Sequence, residues 1–401
     1  MAKATEKRVS GRKRTTSRTR AVQRRGDYYD FSLVAVIVLL ICFGLIMLYS
    51  TSAYTATIQF NDDMHYFKRQ AAISAGCLLA ALVFSRLDYH LLEKVWFLLY
   101  VSSMGLMMLV KSPLGFASHG AKRWLALGPV QFQPAEIAKI AVIVTLSYMV
   151  VHTRDSLRSL SSTMKMAGLG GAQALVAYVF TDNLSTALII LGITAGLIFL
   201  AHPKTRIFIL LFVAVIIFAV ILVLFLNSTL ETSDSFRVRR VLVWLHPEDY
   251  AKGDGYQTLQ ALYAIGSGGF FGRGLGNSIQ KLGSVPEAQN DFIFSIICEE
   301  LGIFGGIVLL LVFAYLLYRL FFIAQNAPDM FGSFLVSGIF IHIALQVVLN
   351  IAVVVNLLPN TGVTLPFISY GGTSVLFLMA EMGIALSVAR QIRFKEPTRI
   401  I

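Results

Sequence analysis

Ten long apolar stretches, separated mostly by short polar connections, constrain this chain more than any other feature of its sequence. They centre on residues 31–50, 70–86, 92–110, 135–152, 165–181, 184–201, 207–226, 292–322, 331–357 and 367–389. Each approaches the roughly 20 apolar residues a helix needs to cross the hydrocarbon core, where backbone groups have to be satisfied within the segment. Of the 401 residues 56% are hydrophobic and only 14% charged, so lipid has to solvate much of the folded surface. The expected fold class is all-α: a polytopic integral membrane protein of about ten transmembrane helices. The fifth and sixth stretches are joined only by Thr181-Asp182-Asn183 and form a helical hairpin. No internal repeat is evident, which argues against an inverted-repeat transporter.

Charge sets the orientation. Ten Lys/Arg fall between Lys3 and Arg25 with no aromatic among them, the composition of a disordered basic tail near anionic lipid rather than a nucleic-acid site or a cleaved signal peptide. With residues 1–27 cytoplasmic, the inner connections carry Arg86, Lys94, Arg154, Arg158, Lys165, Lys204, Arg206 and Arg319, as the positive-inside rule requires. Residues 28–392 form the membrane domain, and residues 393–401 a second cytoplasmic tail. The expected arrangement is multi-pass in the membrane, with both termini cytoplasmic. Cys42, Cys77 and Cys298 all lie in apolar runs and are given packing roles.

The outer side then receives a loop around residues 111–134, a large extracytoplasmic loop over 227–290 between the seventh and eighth helices, and the short turn 359–366. The large loop carries Arg237, Arg239, Arg240, Lys252, Arg273 and Lys281. Basic residues on that side have either an anionic partner such as a phosphate or the loop's own acids. Within it, Tyr256–Ile265 has helical spacing around Gln257 and Gln260, which predicts a short helix at the membrane surface. Gly266–Gly276 is dense in glycine, so the backbone can turn tightly and approach a ligand. No GxxxxGK[ST] motif and no Asp-x-Asp pair occurs, which argues against a nucleotide-driven activity.

Asp291 stands at the start of the eighth span, with Glu299 and Glu300 eight and nine residues on. At 100° per residue Ser295 and Glu299 share its broad face while Glu300 points away, so this helix is expected to line a polar cleft open to the outside. A plain helix cap is the alternative for Asp291 alone. Glu136 and Lys139 share one face of the fourth span behind Pro134, and Arg123 sits beside Trp124. His342, Gln346 and Asn350 recur every four residues, which helix–helix hydrogen bonding explains. Ser369-Tyr-Gly-Gly-Thr-Ser374, including Gly371 and Gly372, opens the last span and serves either close packing or a backbone phosphate site.

Taken in order, Trp124–Lys139, Gly255-Tyr-Gln through Gly276, Pro286-Glu…Asp291-Phe-Ile-Phe…Glu299-Glu-Leu-Gly302 and Leu358-Pro-Asn-Thr-Gly…Ser-Tyr-Gly-Gly372 resemble the SEDS (shape, elongation, division and sporulation) proteins. The resemblance spans about residues 30–392, and Asn277-Ser-Ile-Gln-Lys281 looks more like the FtsW and SpoVE branch than the RodA branch. It implies a peptidoglycan glycosyltransferase that polymerises lipid II, an undecaprenyl-pyrophosphate disaccharide-pentapeptide, outside the cytoplasmic membrane. The implied partners are a class B penicillin-binding protein transpeptidase and other division proteins. By the same resemblance Asp291 matches the essential aspartate, and Arg69, Arg123, Glu136 and Lys139 match polar cavity positions. Where many members read Pro-Asp-Leu-Gly-Thr, this chain reads Asp182-Asn-Leu-Ser-Thr186, which weakens any role for a carboxylate there.

The expected chemistry makes Asp291 the general base for an acceptor sugar hydroxyl. Arg and Lys near the cleft would stabilise the leaving pyrophosphate, helped by a divalent cation (Mg or Mn) whose ligands the sequence does not assign. Gln257, Lys281, Glu299, Ser369, Gly371 and Gly372 join the four cavity residues as candidate substrate contacts. A lipid II flippase and a non-catalytic division scaffold are the competing classes.

Overall fold

The computed structural model describes residues 29–118, 121–127, 130–153, 159–229, 236–253, 255–283 and 285–393. The basic tail over 1–27, the C-terminal tail beyond 393, and Arg154 and Arg158 lie outside the described residues. The chain is a polytopic membrane protein. Its elements run α1 (Phe31–Phe60), α2 (His65–Phe84), α3 (His90–Leu109), β1 (Gly115–Ser118), β2 (Ala121–Leu127), β3 (Val130–Phe132), α4 (Pro134–His152) and α5 (Leu160–Thr181). Then follow α6 (Leu184–Ala201), α7 (Thr205–Thr229), α8 (Phe236–Leu245), α9 (Tyr256–Gly268), α10 (Ile293–Asn326), α11 (Met330–Val354) and α12 (Gly372–Arg390).

All ten expected spans are helices, and among the described residues nine are long and apolar enough to cross a membrane. The tenth, α5, carries Lys165 and Gln173, and it packs against α3, α4 and α6. Helix starts follow from local chemistry. Asp30 accepts from Leu33 N at 2.9 Å to cap α1, and Asp329 caps α11 through Gly332 N at 2.8 Å. Pro134 opens α4, where its missing N–H costs nothing. Asn183, the departure from the family pattern, caps α6 by accepting from Thr186 N at 3.0 Å. An amide oxygen caps as well as a carboxylate, so helix initiation survives the change.

The centre of the bundle is α4, which touches α3, α5, α6, α11 and α12. By contrast α7 leans lightly on α6 and α8, and its apolar side chains from Ile207 to Phe225 face outward. A helix apolar around its circumference and without protein cover is solvated by lipid. The polar stripe on α11 bonds another helix, as expected, only through His342; Gln346 and Asn350 bond carbonyls of connections instead. Both carboxylate oxygens of Glu381 on α12 lie 2.9 Å from His342 Nδ1, and Gln346 Nε2 donates to Thr364 O at 3.1 Å.

Three features depart from expectation. The connection at 111–134 is not irregular: β1, β2 and β3 form an antiparallel sheet, with Gly115 opposite Leu125 and Leu125 opposite Phe132. Alternation along β2, with Leu125 buried and Lys122 exposed, accounts for it. The large loop contains α8 in addition to the expected α9, which packs against α10.

The third concerns α10, which is broken at Gly302, where φ is 73°. A broken span frees backbone groups that lipid cannot satisfy. Here the glycine-dense loop after α9 supplies the partners. Arg273 N and Gly274 N donate to Glu299 O and Glu300 O at 3.0 and 2.9 Å, and Ile303 N and Phe304 N donate to Gly269 O and Phe270 O at 3.0 and 3.1 Å. A Cβ at Gly272 would stand 2.2 Å from Glu300 O, and one at Gly302 would stand 2.2 Å from Phe270 O. The glycines admit another backbone, not a ligand.

Candidate active site

The long connections gather at one end of the bundle, where α4, α6, α10 and α12 begin. Asp291 lies there, two residues before α10, half-buried. Its backbone is tied down: Asn350 Nδ2 on α11 donates to Asp291 O and to Val363 O, each at 2.7 Å. On the carboxylate side stands Gly362, where a Cβ would lie 3.9 Å from Asp291 Oδ2. Next to it, Tyr370 N donates to Gln289 O at 2.9 Å. Three segments, 285–292, 359–363 and 369–372, therefore meet around one acid.

The turn beside Asp291 continues to a cationic group. Ser185 Oγ on α6 donates to Thr361 O. One turn back, Asp182 draws Lys111 Nζ to 3.0 Å of its Oδ2, and Arg123 Nη2 donates to its carbonyl at 3.3 Å. Burial pulls the Arg123 guanidinium below its usual range while Asp182 opposes the shift; it stays charged. Arg123 Nε is buried and has no hydrogen-bond partner among the described residues. On α4, Lys139 Nζ lies 2.9 Å from Glu136 Oε1 with the lysine side chain only 2% exposed. This lysine does not snorkel to the surface; its charge is held inside by the glutamate.

Residues 31–394 match the profile of a family described as cell cycle proteins, FtsW/RodA/SpoVE. The chain belongs to that family. It is similar to stage V sporulation protein E of Bacillus subtilis (37% identical over 366 residues, 91% of this chain and 98% of that protein). It is also similar to the probable peptidoglycan glycosyltransferase FtsW of Trichlorobacter lovleyi (36% identical, 91% of this chain and 94% of that one). Among solved structures, one from work on polymerization and crosslinking by a peptidoglycan synthase complex aligns with a TM-score of 0.72 at 27% identity, covering 90% of this chain and 98% of that chain. The Thermus thermophilus rod shape determining protein RodA aligns with a TM-score of 0.64 at 25% identity, covering 92% of this chain and 98% of that chain.

Within this FtsW/RodA/SpoVE fold the expected site residues divide into two groups. Gln257 stays near Asp291: its Nε2 donates to Pro286 O at 2.9 Å, and its Oε1 accepts from Asn360 Nδ2 at 3.2 Å. Arg69 is exposed on α2 within electrostatic reach of Tyr66, whose ring stands 5.1 Å from that of Tyr370. Ser369 Oγ accepts from Leu365 N at 2.8 Å and so folds the turn. Gly371 is extended, with φ 171°, and Gly372 abuts Ile73 of α2, which favours packing over a phosphate cradle.

Lys281 and Glu299 are engaged with the loop that follows α9 and with its neighbours. Glu299 is wholly buried, accepting from Ser278 Oγ and, at 3.0 Å, from Ile279 N. Lys281 Nζ pairs with Glu300 Oε1 at 2.8 Å and donates to Ser50 Oγ at 2.9 Å. Neither acid looks into a cleft beside Asp291. Both hold the loop at 273–281 against the turn of α10 that precedes the break at Gly302. Helical angle alone missed this because the helix stops at Gly302 and a loop fills the space.

Several contributors carry weak sequence signals. Asn350 was legible only as a member of a polar stripe, Arg240 only as one of the outer-loop cations and Asn360 only within the Leu358-Pro-Asn-Thr-Gly run, whereas Lys111 had no signal. Among the described residues no three His, Cys, Asp or Glu cluster as a metal site. The described residues therefore do not by themselves build a protein cage for a divalent cation.

Proposed function

We propose that this chain is a peptidoglycan glycosyltransferase that joins lipid II units at the outer face of the membrane, with Asp291 as general base. The observation that carries the reading is a fixed, half-buried carboxylate at the same end of the bundle as a half-buried guanidinium, the two linked through the Ser185–Thr361 contact and the Asp182 carbonyl. Asp291 takes the proton of an acceptor sugar hydroxyl as its oxygen bonds to the donor's anomeric carbon. The bond from that carbon to the pyrophosphate breaks, and its electron pair leaves on the phosphate oxygen. Arg123 and Lys111 would meet that charge, and a preformed cationic site costs no reorganisation as it develops. The divalent cation expected from the chemistry would be carried by the pyrophosphate with at most one or two protein carboxylates; no step here depends on it.

Similarity to proteins named as glycosyltransferases supports the activity, and the solved synthase complex supports a transpeptidase partner of the class B penicillin-binding type. The FtsW-like run Asn277–Lys281 favours a role in division, which a fluorescent fusion tested for midcell placement checks. Both termini are assigned to the cytoplasm from Arg86, Lys94, Lys204 and Arg206 on the opposite end from Asp291. Membrane-impermeant labelling of single cysteines tests that.

The deciding experiment supplies purified protein and its transpeptidase with lipid II and measures glycan strands. Full polymerisation by a folded Asp291→Asn variant removes the base assignment. A flippase would draw on the buried His342–Glu381 pair midway along α11 and α12; lipid II offered only at the outer face separates the two, because a flippase forms no strand.

A further inference from the structure

Beside Asp291, across the turn at 356–362, lies a cavity of about 310 Å³ that the chemistry above leaves unused. Arg240 and Trp244 of α8, Tyr256 and Gln257 of α9, and Asn356 and Asn360 of the turn line it. Its volume falls near the lower bound of about 300 Å³ for small-molecule sites. Among the described residues lining it are three primary amides, two aromatics and one guanidinium, and no carboxylate.

This lining selects a ligand class. Arg240 Nη1 donates to Asn360 O at 3.1 Å, so part of its donor set is drawn into the wall. Each amide has hydrogen-bonding capacity beyond its wall contacts. Gln257 uses one N–H toward Pro286 O and one lone pair toward Asn360; Asn360 uses one N–H toward Gln257 and one lone pair toward Gly362 N; Asn356 uses one N–H toward Trp244 O. That leaves every amide at least one donor and one acceptor. A flat apolar face with paired hydroxyl and acetamido groups on its rim matches two rings and three half-spent amides. A phosphate would meet few cations here, and an acyl chain would strand the amides.

We infer that this pocket is a subsite for an N-acetylated sugar residue of the glycan strand, holding the strand between additions. The inference rests on the glycosyltransferase reading and deepens it. The pocket and Asp291 share a wall: Asn360 is two residues from Gly362, and Gln257 holds the loop at Pro286 that leads to Asp291. A strand seated there stays registered while its reacting end is exchanged.

Gly253 also lines the pocket, and a Cβ built on it meets nothing nearer than Tyr250 O at 3.9 Å. Gly253→Leu therefore adds apolar bulk at the lining with no close backbone contact at its Cβ, and Tyr256→Ala removes one of the two rings. In the full chain with its transpeptidase, both variants should release strands about tenfold faster, equivalent to 1.4 kcal/mol of binding. Mean strand length should shorten accordingly while the first coupling keeps its rate. Saturation-transfer NMR should also show tri-N-acetylchitotriose contacting the unaltered chain and not the Gly253→Leu variant. Unaltered strand lengths in both variants overturn the subsite. So does shortening that vanishes with donors lacking the stem peptide, which would give the pocket to the peptide. If the unaltered chain binds the oligosaccharide but makes no strand, the enzyme reading fails and the subsite stands.

Discussion

Asn350 holds Asp291 by its backbone: one side-chain amide on α11 bonds the carbonyl of Asp291 and that of Val363, both at 2.7 Å. The acid and the turn that faces it are thus referenced to a single buried side chain, 1% exposed. Asn350→Leu should leave two carbonyls without this donor, destabilising the fold by about 1–3 kcal/mol. It should also lower strand synthesis beyond that loss, because Asp291 is no longer registered to the turn. Thermal unfolding in detergent beside a polymerisation assay separates the two effects.

Asp291→Asn keeps the shape and removes the basic oxygen. Polymerisation should fall about 10²–10⁴-fold with little change in unfolding temperature, since the Asn350 amide still holds the backbone carbonyl at this position. An inactive variant that also unfolds early would point to a structural role instead.

The clamp between Lys281 and Glu300 is buried, with side chains 9% and 0% exposed. Removing either partner alone, as Lys281→Met or Glu300→Gln, should cost about 3–5 kcal/mol. The double variant should recover much of that loss, which a double-mutant cycle on unfolding would read. Additive losses would mean that the two charges act separately.

Gly302→Ala meets both a φ of 73° and Phe270 O at 2.2 Å from the added carbon. The conformation alone costs about 1–3 kcal/mol, and the collision adds to it. Limited proteolysis of the 266–283 loop should accelerate in this variant, because the loop's hydrogen bonds to the broken helix are those disturbed first.

In the connection between α2 and α3, Asp88 is pulled down to about 2 from 3.8, chiefly by its hydrogen bond from His90, with Gln391 also donating. A depressed folded-state value means that its contribution is fully present above the unfolded value. It is lost as pH falls from about 4 to about 2. Asp88→Asn should flatten the change of unfolding temperature over that window; an unchanged profile would show that the contact does not couple to folding.

Legibility tracked how local the physics was. Asp30, Pro134, Asn183 and Asp329 mark helix starts within a few residues of themselves, and the stripe of His342, Gln346 and Asn350 names its own face. The sheet at 115–132 was passed over because three short strands within a connection carry far less pattern than a span of 20. The contacts of Glu299 and Lys281 were illegible for another reason: Glu299 meets a loop about 20 residues away in sequence, and Lys281 meets Glu300 of α10 and Ser50 of α1.

From its order of residues alone the chain was bound to be a bundle of about ten lipid-solvated helices, since each span has to satisfy its own backbone and declare its length in apolar residues. Which polar groups meet was decided only by packing. The break at Gly302, the loop that fills it, and the meeting of Asp291 with Gly362 and Asn350 depend on contacts between distant segments. No local pattern encodes these contacts, because a hydrogen bond across the fold constrains where two residues end up and not how far apart they lie along the chain.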